Sequence, residues 1–236
     1  MTEIIKIQEV QRYYEMGEDL VKALDGLNIE IHKGDFVAIM GPSGSGKSTA
    51  MNIVGSLDKP TRGSVFLGKE NTQYLSESEI AKIRGKKIGF IFQSFNLIPN
   101  LTAKENVTLP MLFQGIDKEE RESRAEGLLK LVDLSDRMDH YPNQLSGGQQ
   151  QRVAIARALS NDPEVILADE PTGNLDTKTG DKVINFLEDF HKKGKTIIMV
   201  THDPKLAEHA DIIYHIKDGK VEKVTKKIKG KWIKVK

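Results

Sequence analysis

Apolar residues along the chain form two patterns, short unbroken runs and helical repeats. Four runs rich in β-branched residues are bounded by Gly, Asp or Lys: DFVAIM (35–40), KKIGFIF (86–92), EVILAD (164–169) and TIIMVTH (196–202). Such runs are typical of strands that are buried on both faces of a parallel sheet. Two sets of apolar residues at spacings of three and four predict helices between them: Ala125, Leu128, Leu129 and Val132, then Val183, Leu187 and Phe190.

The N-terminal third alternates apolar and polar residues instead, which predicts an antiparallel sheet beside the parallel one. The alternating stretches are IIKIQEV (4–10), LNIEIHK (27–33) and SVFLG (64–68). No convincing strand pattern occurs between Ser94 and Leu159. We therefore predict an α/β fold with a mostly parallel core sheet, an N-terminal antiparallel β subdomain and a helical insert subdomain. The predicted single domain divides into 1–93 with 160–219 as core plus antiparallel subdomain, 94–159 as helical subdomain, and 220–236 as basic C-terminal tail.

The composition excludes some classes of protein but does not indicate a particular reaction. Lys and Arg number 35 against 34 for Asp and Glu, so the formal charge of +1 gives no indication of a nucleic-acid partner. The absence of cysteine excludes disulfides and thiolate metal sites. No apolar stretch approaches the roughly 18 residues needed to span a bilayer.

The first motif with clear chemistry, GPSGSGKST, follows the run at 35–40 and precedes a helical pattern. Its glycines let backbone N–H groups turn onto phosphate oxygens. Lys47 supplies charge for the β- and γ-phosphates, and the Ser48 hydroxyl is placed for Mg²⁺. We predict a P-loop NTPase fold with nucleotide contacts from Gly41, Pro42, Ser43, Gly44, Ser45, Gly46, Lys47, Ser48 and Thr49.

Polar residues follow three of the apolar runs, where ligands of parallel sheets bind. Asp169 can hold Mg²⁺, and Glu170 can polarise an attacking water as general base. Gln93 can reach Mg²⁺ and the water, and His202 the γ-phosphate. Each of these residues alone also fits an ordinary solvated loop, and only their shared position favours a common site.

Two other features have ligand-binding potential. In LSGGQQQRVAIARAL (145–159) two glycines lead into a helix whose N-terminus can hold an anion, or they cap that helix without binding anything. Tyr13 and Tyr14 can stack a nucleotide base or line an edge strand.

Together these motifs resemble those of the ATP-binding cassette (ABC) ATPases of membrane transporters, over nearly the whole chain. GPSGSGKST is similar to the Walker A motif of the family, VILADE to its Walker B motif and LSGGQ to its signature. GNLD, with Asp176, resembles the D-loop, Gln93 the Q-loop glutamine and His202 the switch histidine. By its position before MGE, Tyr14 rather than Tyr13 resembles the adenine-stacking residue.

The resemblance implies ATP and Mg²⁺ as cofactors. The implied catalytic residues are Glu170, His202 and Gln93, and the implied metal ligands are Ser48, Gln93 and Asp169. It also implies that two copies face head to tail, so that ATP bound to the P-loop of one copy contacts the signature of the other. The signature residues that would contact it are Ser146, Gly147, Gly148 and Gln149.

The resemblance further implies an integral membrane permease subunit, an ATP-dependent homodimer and an extracytoplasmic adaptor reached through the permease. It implies a cytoplasmic protein, peripheral on the inner face of the cell membrane, with no nucleic-acid partner. Cassettes that act on DNA or ribosomes form the competing class. They are disfavoured because the chain has one cassette, no zinc-binding cysteines and no sustained heptads between Ser48 and Leu145.

Residues 95–111 and 168–176 resemble cassettes of lipoprotein release, macrolide and peptide export, and a cell-division relative. We expect an export ATPase of the lipoprotein-release, macrolide or peptide type. The alternative is a cell-division-type or regulatory mechanotransmission ATPase that moves no substrate. The mostly apolar stretch 95–111 fits a groove for a permease helix, subdomain core, or both.

The last segment, 220–236, contains eight lysines and one acidic residue. A solvated extension, contact with anionic lipid and contact with nucleic acid all remain open for it.

Overall fold

The computed structural model describes residues 2–17 and 19–235. In chain order, its strands and α-helices are β1 Glu3–Met16, β2 Asp19–His32, β3 Phe36–Met40, α1 Lys47–Val54, β4 Arg62–Leu67, β5 Glu70–Asn71, α2 Glu77–Lys87, β6 Ile88–Ile91, α3 Ala103–Phe113, α4 Lys118–Leu131, α5 Gly147–Leu159, β7 Val165–Asp169, α6 Thr177–Lys192, β8 Thr196–Thr201, α7 Pro204–Ala207, β9 Ile212–Lys217, β10 Lys220–Ile228 and β11 Lys231–Lys234. The chain divides into two compact units, one of Met1–Ile80 with Lys193–Lys236 and one of Ala81–Lys192.

The first unit contains two of the predicted parallel strands, β3 and β8, and one parallel strand, β9, that was not predicted. Strand β3 pairs in parallel with β8 on one side and β9 on the other. Strands β10 and β11 continue this part of the sheet in antiparallel pairing, so the strand order is β11-β10-β9-β3-β8. Phe36, Val37, Ala38 and Ile39 are each at most 1% exposed, because both faces of β3 are covered.

A second sheet in the same unit has the order β2-β1-β4-β5, and all its pairings are antiparallel. Along β2, Leu27, Ile29 and Ile31 are buried at alternate positions. This period-two burial confirms the antiparallel sheet predicted from the N-terminal third. Each fully buried aliphatic side chain stabilises the fold by about 1.5–3 kcal/mol.

The second unit combines two parallel strands with helices. Strands β6 and β7 pair in register from Ile88 with Val165 to Ile91 with Ala168. Helices α3, α4 and α5 contact one another, and α5 also lies against β6. A Cβ added at Gly89 would come within 2.1 Å of the Ala158 carbonyl oxygen, so strand and helix approach as closely as glycine permits. As predicted, no strand lies between 94 and 159, and this segment falls within the second unit.

Helix α2 and strands β10 and β11 are among the elements that were not predicted from the sequence. Helix α2 buries only Ile80, so its apolar periodicity is too weak to detect. The segment described above as a basic tail forms β10 and β11 over residues 220–234. Val224 in β10 is 5% exposed, which anchors this segment in the first unit. Among the described residues, no helix combines the length and apolar character needed to cross a bilayer.

Candidate functional site

The glycine-rich motif forms the turn between β3 and α1 in the first unit. Gly46 is the N-cap of α1 with φ of 97°, and a Cβ there would lie 2.4 Å from the Ala23 carbonyl oxygen. Only glycine fits this position, because the backbone is left-handed and the space is filled. The Lys47 side chain is 8% exposed, and its Nζ donates to the Pro42 carbonyl oxygen at 2.8 Å. The ammonium group therefore lies over the loop, at the end of the helix where the N–H groups of α1 begin.

The electrostatics of this turn favour an anion. The first N–H groups of any α-helix lack intrahelical acceptors and carry the positive end of the helix dipole. No acidic side chain occupies the first turn of α1 to neutralise that end. The loop, Lys47 and α1 thus make a site for phosphate groups.

The loop is supported by the hairpin turn between β9 and β10, a feature that the sequence analysis missed. Asp218 and Gly219 both have positive φ, 50° and 72°, as in the type I′ turns of two-residue hairpins. The Gly219 N–H donates to the Ser45 carbonyl oxygen at 3.0 Å, and the Gly219 carbonyl accepts from the Asp25 N–H at 3.1 Å. The Asp-Gly pair after an apolar strand signals a hairpin turn, but nothing in the sequence indicates its contact with the phosphate loop.

Tyr13 and Tyr14 lie on opposite faces of β1. The Tyr13 hydroxyl donates to Asp25 Oδ1 at 2.6 Å, and this hydrogen bond raises the pKa of Tyr13 and lowers that of Asp25. The Tyr14 hydroxyl donates to Asp58 Oδ2 at 2.9 Å, and the Arg12 guanidinium lies 4.5 Å from the centre of its ring. Arg12 holds the same carboxylate oxygen at 2.7 Å.

Neighbours of both tyrosines lie near the phosphate loop, since Asp25, the partner of Tyr13, lines a pocket together with Gly44. On the face of Tyr14, Arg12 pairs across the sheet with Leu24. Leu24 Cδ2 lies 3.3 Å from the Cβ position built at Gly46. These contacts place both tyrosines near the loop, and Tyr14, which the family resemblance assigns to base stacking, stays a prediction.

His202 also belongs to the first unit, where it follows the last residue of β8. Met40 of β3 pairs with Thr201 of β8, so Gly41 and His202 leave neighbouring parallel strands at the same edge. The His202 side chain is exposed. The structure therefore places the predicted switch histidine beside the start of the phosphate loop.

The second unit holds the predicted carboxylates and Gln93. Asp169 ends β7, and Glu170 follows it with φ of 40°, a left-handed conformation that is uncommon for a residue with a side chain. The Glu170 carbonyl oxygen accepts from the Gly173 N–H at 3.0 Å. Asn174 Nδ2 donates to the Gln93 carbonyl oxygen at 2.9 Å, so Gln93 and the turn after Glu170 are joined.

The predicted signature residues form the N-terminus of α5. Ser146 is the N-cap, with its Oγ accepting from the Gln149 N–H and its own N–H donating to Gln149 Oε1 at 2.8 Å. A Cβ on Gly148 would meet Thr179 Cγ2 at 2.4 Å, so a larger residue there would displace the Thr179 side chain where α5 meets the start of α6. The Gln149 side chain is occupied by this capping box, which leaves the N–H groups of the first turn as the anion-binding element.

Asp176 begins the next helix in the same unit. Its carboxylate accepts from the Thr179 N–H at 3.1 Å. Hydrogen bonds from the Thr179 side chain and backbone lower the pKa of Asp176. The carboxylate therefore stays ionised and caps α6.

Gln151 is a second residue that the sequence analysis missed. Its side chain is fully buried, and its Nε2 donates to the Pro171 carbonyl oxygen at 2.6 Å. Pro171 directly follows the left-handed Glu170. The helix that begins with the signature residues is thereby linked to the turn that carries the predicted general base, a link that three successive glutamines in a sequence do not reveal.

The remaining site assignment is the metal. Within residues 2–17 and 19–235, no three His, Asp or Glu side chains converge to form a cation-binding cluster. Ser48, Gln93 and Asp169 therefore stay predicted ligands.

The fold and these motifs define a P-loop nucleoside triphosphatase. Residues 24–173 match the family described as ABC transporter, and the chain belongs to this family. It is an ATP-binding and ATP-hydrolysing protein, as the sequence motifs predicted.

Relatives of this chain include full-length cassettes and longer fusions. An uncharacterised ABC transporter ATP-binding protein of Thermotoga maritima is 50% identical over 227 residues, which cover 96% of this chain and 97% of the relative. The macrolide export ATP-binding/permease protein MacB 2 of Yersinia pestis is 50% identical over 218 residues, which cover 92% of this chain but 32% of that protein. The solved dimer of the cassette MJ0796 of Methanocaldococcus jannaschii, in a post-hydrolysis state with ADP and Pi, has a TM-score of 0.89 and 51% identity, and covers 94% of this chain and 98% of that one.

Proposed function

We propose that this chain is the ATPase subunit of a membrane transporter and that two copies pair head to tail around ATP. The observation that carries the proposal is the presence of two glycine-flanked helix N-termini, α1 after the phosphate loop and α5 after Ser146. Each favours an anion, and each belongs to a different compact unit. The dimer of the related MJ0796 cassette with ADP and Pi supports this arrangement.

In this proposal the first unit holds most of the nucleotide. Tyr14 stacks the adenine on the ring face that Arg12 leaves open, because the Arg12 guanidinium covers the other face. Residues 41–49 wrap the phosphates, and Lys47 exchanges its bond with the Pro42 carbonyl for phosphate oxygens. In the partner copy, Ser146 and the N–H groups of Gly147 and Gly148 face the γ-phosphate.

Ser48, Gln93 and Asp169 are the residues that would hold Mg²⁺. Their hydroxyl, amide and carboxylate oxygens are the hard donors that this ion prefers, and one carboxylate suits an ion that keeps water and phosphate ligands. Bound there, Mg²⁺ neutralises charge on the β- and γ-phosphates.

Hydrolysis in this proposal depends on Glu170, Gln93 and His202. Glu170 accepts a proton from the attacking water, and its left-handed backbone fixes the direction of the carboxylate. Gln93 orients the water, with its backbone held by Asn174. His202 contacts the γ-phosphate from the edge beside Gly41. Loss of the γ-phosphate removes the anion that joins the two copies, so the dimer loosens after hydrolysis.

Mixing two inactive variants tests the head-to-tail arrangement directly. Lys47→Ala removes the phosphate-loop charge, and Ser146→Arg blocks the signature, so each homodimer should be nearly inactive at an ATP concentration that saturates wild type but not Lys47→Ala. A head-to-tail heterodimer combines the intact phosphate loop of one chain with the intact signature of the other. Because half of the randomly formed pairs are mixed and each mixed pair has one intact site, the mixture should recover about a quarter of wild-type ATPase activity.

The control for this experiment is each variant alone at twice the concentration. Restored activity only in the mixture supports sites shared between copies. A mixture no more active than its components would contradict the proposal, since a site built within one chain cannot be repaired by another.

A groove in the second unit is proposed as the permease contact. Arg84, Phe90, Phe92, Asn96, Pro110 and Asn161 line it. The two phenylalanine rings stack at 5.6 Å, and the buried Asn161 Oδ1 has no hydrogen-bond donor within the described part of the chain. An amphipathic helix with apolar residues and one side-chain donor would complete this groove. A permease partner would place the chain on the inner, cytoplasmic face of the cell membrane and connect it to an extracytoplasmic adaptor.

We propose export of a macrolide, lipoprotein or peptide as the activity of the complete transporter. The 50% identity to the MacB export protein favours the macrolide class. Deletion of the gene should then increase macrolide susceptibility, measured as growth inhibition, and the wild-type gene should reverse the effect. Unchanged susceptibility would argue against macrolide export.

A further inference from the structure

The C-terminal hairpin, defined as β10, β11 and the turn between them, concentrates the positive charge of the chain. Residues 220–236 contain eight lysines and one glutamate, a net charge of +7. Because the whole chain has a net charge of +1, residues 1–219 carry −6. The hairpin is therefore a positively charged element on a protein whose other residues carry a net negative charge.

Strand pairing sorts the hairpin side chains onto two faces. Lys226 pairs with Ile233, and Ile228 pairs with Lys231, so these four residues share one face, here called the outer face. Lys227 and Trp232 pair with each other on the opposite face.

The opposite face is directed at the protein itself. Lys227 Nζ donates to the Glu208 carbonyl oxygen at 3.4 Å and lies 5.9 Å from the centre of the Trp232 ring. On the same face, the Thr225 hydroxyl hydrogen-bonds His215 Nε2 at 3.2 Å. The outer face is the face of β10 that also carries Val224, which is 5% exposed, so it is covered at Val224 and becomes exposed from Lys226 onward.

The outer face presents aliphatic and cationic groups side by side. Ile228 and Ile233 are each 46% exposed, and Val235, two residues further, is 48% exposed. Within the described residues, Lys226 and Lys231 have no carboxylate partner. The exposed isoleucines would gain free energy by leaving water for acyl chains, and the lysines would gain by contact with phosphates, at a surface that offers both.

We propose that the outer face of the hairpin binds the headgroup region of an anionic phospholipid membrane. The lysines contact lipid phosphates while Ile228, Ile233 and Val235 enter the boundary between headgroups and acyl chains. Nucleic acid fits this face less well. The hairpin has no arginine for bidentate contacts, its one aromatic ring lies on the other face, and exposed aliphatic residues gain nothing from a phosphate backbone.

The test uses the full chain, because removal of β10 would expose its β9 partner and the core contact of Val224. Binding is measured by co-sedimentation with phosphatidylcholine vesicles that contain or lack phosphatidylglycerol. Wild type should bind only the anionic vesicles. Since each lysine near an anionic surface contributes about fivefold in affinity, Lys226→Glu/Lys231→Glu should weaken binding at least about 25-fold.

Two further variants separate the parts of the proposal. Ile228→Thr/Ile233→Thr keeps the charge and the β-branching but removes the aliphatic groups, so residual binding should disappear when salt is added. Lys118→Glu/Lys130→Glu changes the same number of exposed charges on α4 and should leave vesicle binding unchanged. Unchanged ATPase activity in all three variants shows that the fold is intact and keeps this test independent of the transporter assignment.

Three results would overturn the proposal. They are equal binding of wild type to neutral and anionic vesicles, equal loss of binding in the α4 control, and tighter binding of the hairpin to duplex DNA than to anionic vesicles.

Discussion

Replacing Glu170 with glutamine should lower kcat for ATP hydrolysis by about 100- to 10,000-fold, the usual contribution of a general base. Glutamine has nearly the same shape and keeps the left-handed backbone at φ of 40°, so the fold is unchanged. Its amide cannot accept the proton of the attacking water. ATP then remains between the two copies, and the dimer accumulates. Steady-state phosphate release measures the first effect, and analytical ultracentrifugation with ATP measures the second.

Glu164 offers a matched control for this substitution. It precedes β7 at the opposite end of the strand from Glu170, and its side chain is exposed. Glu164→Gln makes the same chemical change and should leave both turnover and sedimentation at wild-type values. A Glu170→Gln protein that stays monomeric with ATP would contradict the proposed dimer, and one that retains wild-type kcat would contradict the assignment of the base.

Replacing Lys47 with alanine should weaken ATP binding by about 10- to 100-fold, the free energy of one charge-assisted hydrogen bond. The substitution removes the only side-chain ammonium that the structure places inside the phosphate loop, among the described residues. It also removes the hydrogen bond from Nζ to the Pro42 carbonyl oxygen. Isothermal titration calorimetry with ATP measures the change directly.

Lys59→Ala serves as the comparison for Lys47→Ala. Lys59 belongs to the same unit, is 54% exposed and pairs with Glu77 at the surface. Its removal should leave ATP affinity unchanged. Equal ATP affinity of the Lys47→Ala and wild-type proteins would refute the phosphate-loop assignment, provided that both melt at the same temperature.

The sequence predicted the parts of the site that are formed by residues close together in the chain. GPSGSGKST requires only a strand before it and a helix after it, and β3 and α1 are where the apolar pattern placed them. The parallel strands were equally accessible, since a strand buried on both faces needs an unbroken apolar run. Ser146 and Gln149 are three residues apart, the separation of a capping box, so the start of α5 could also be found from the sequence.

The parts that escaped prediction depend on residues far apart in the chain. Gln151 is one of three successive glutamines, and only the packing of α5 places its amide at the Pro171 carbonyl. The strand character of residues 220–234 is hidden because lysines occupy both faces of the hairpin. The partners of the Tyr13 and Tyr14 hydroxyl groups, Asp25 and Asp58, could not be inferred from the sequence either.

The hydrogen bond from the Gly219 N–H to the Ser45 carbonyl oxygen affects when, during synthesis and folding, the phosphate loop becomes able to bind ATP. The nucleotide-holding turn at Ser45 is synthesised well before Gly219, the residue that braces it. Contacts between such distant parts of a chain form late in folding, because a long loop must close first. A nascent chain that has not yet reached Gly219 therefore carries the whole Walker A sequence without its brace, and readiness for ATP depends on synthesis of the turn between β9 and β10.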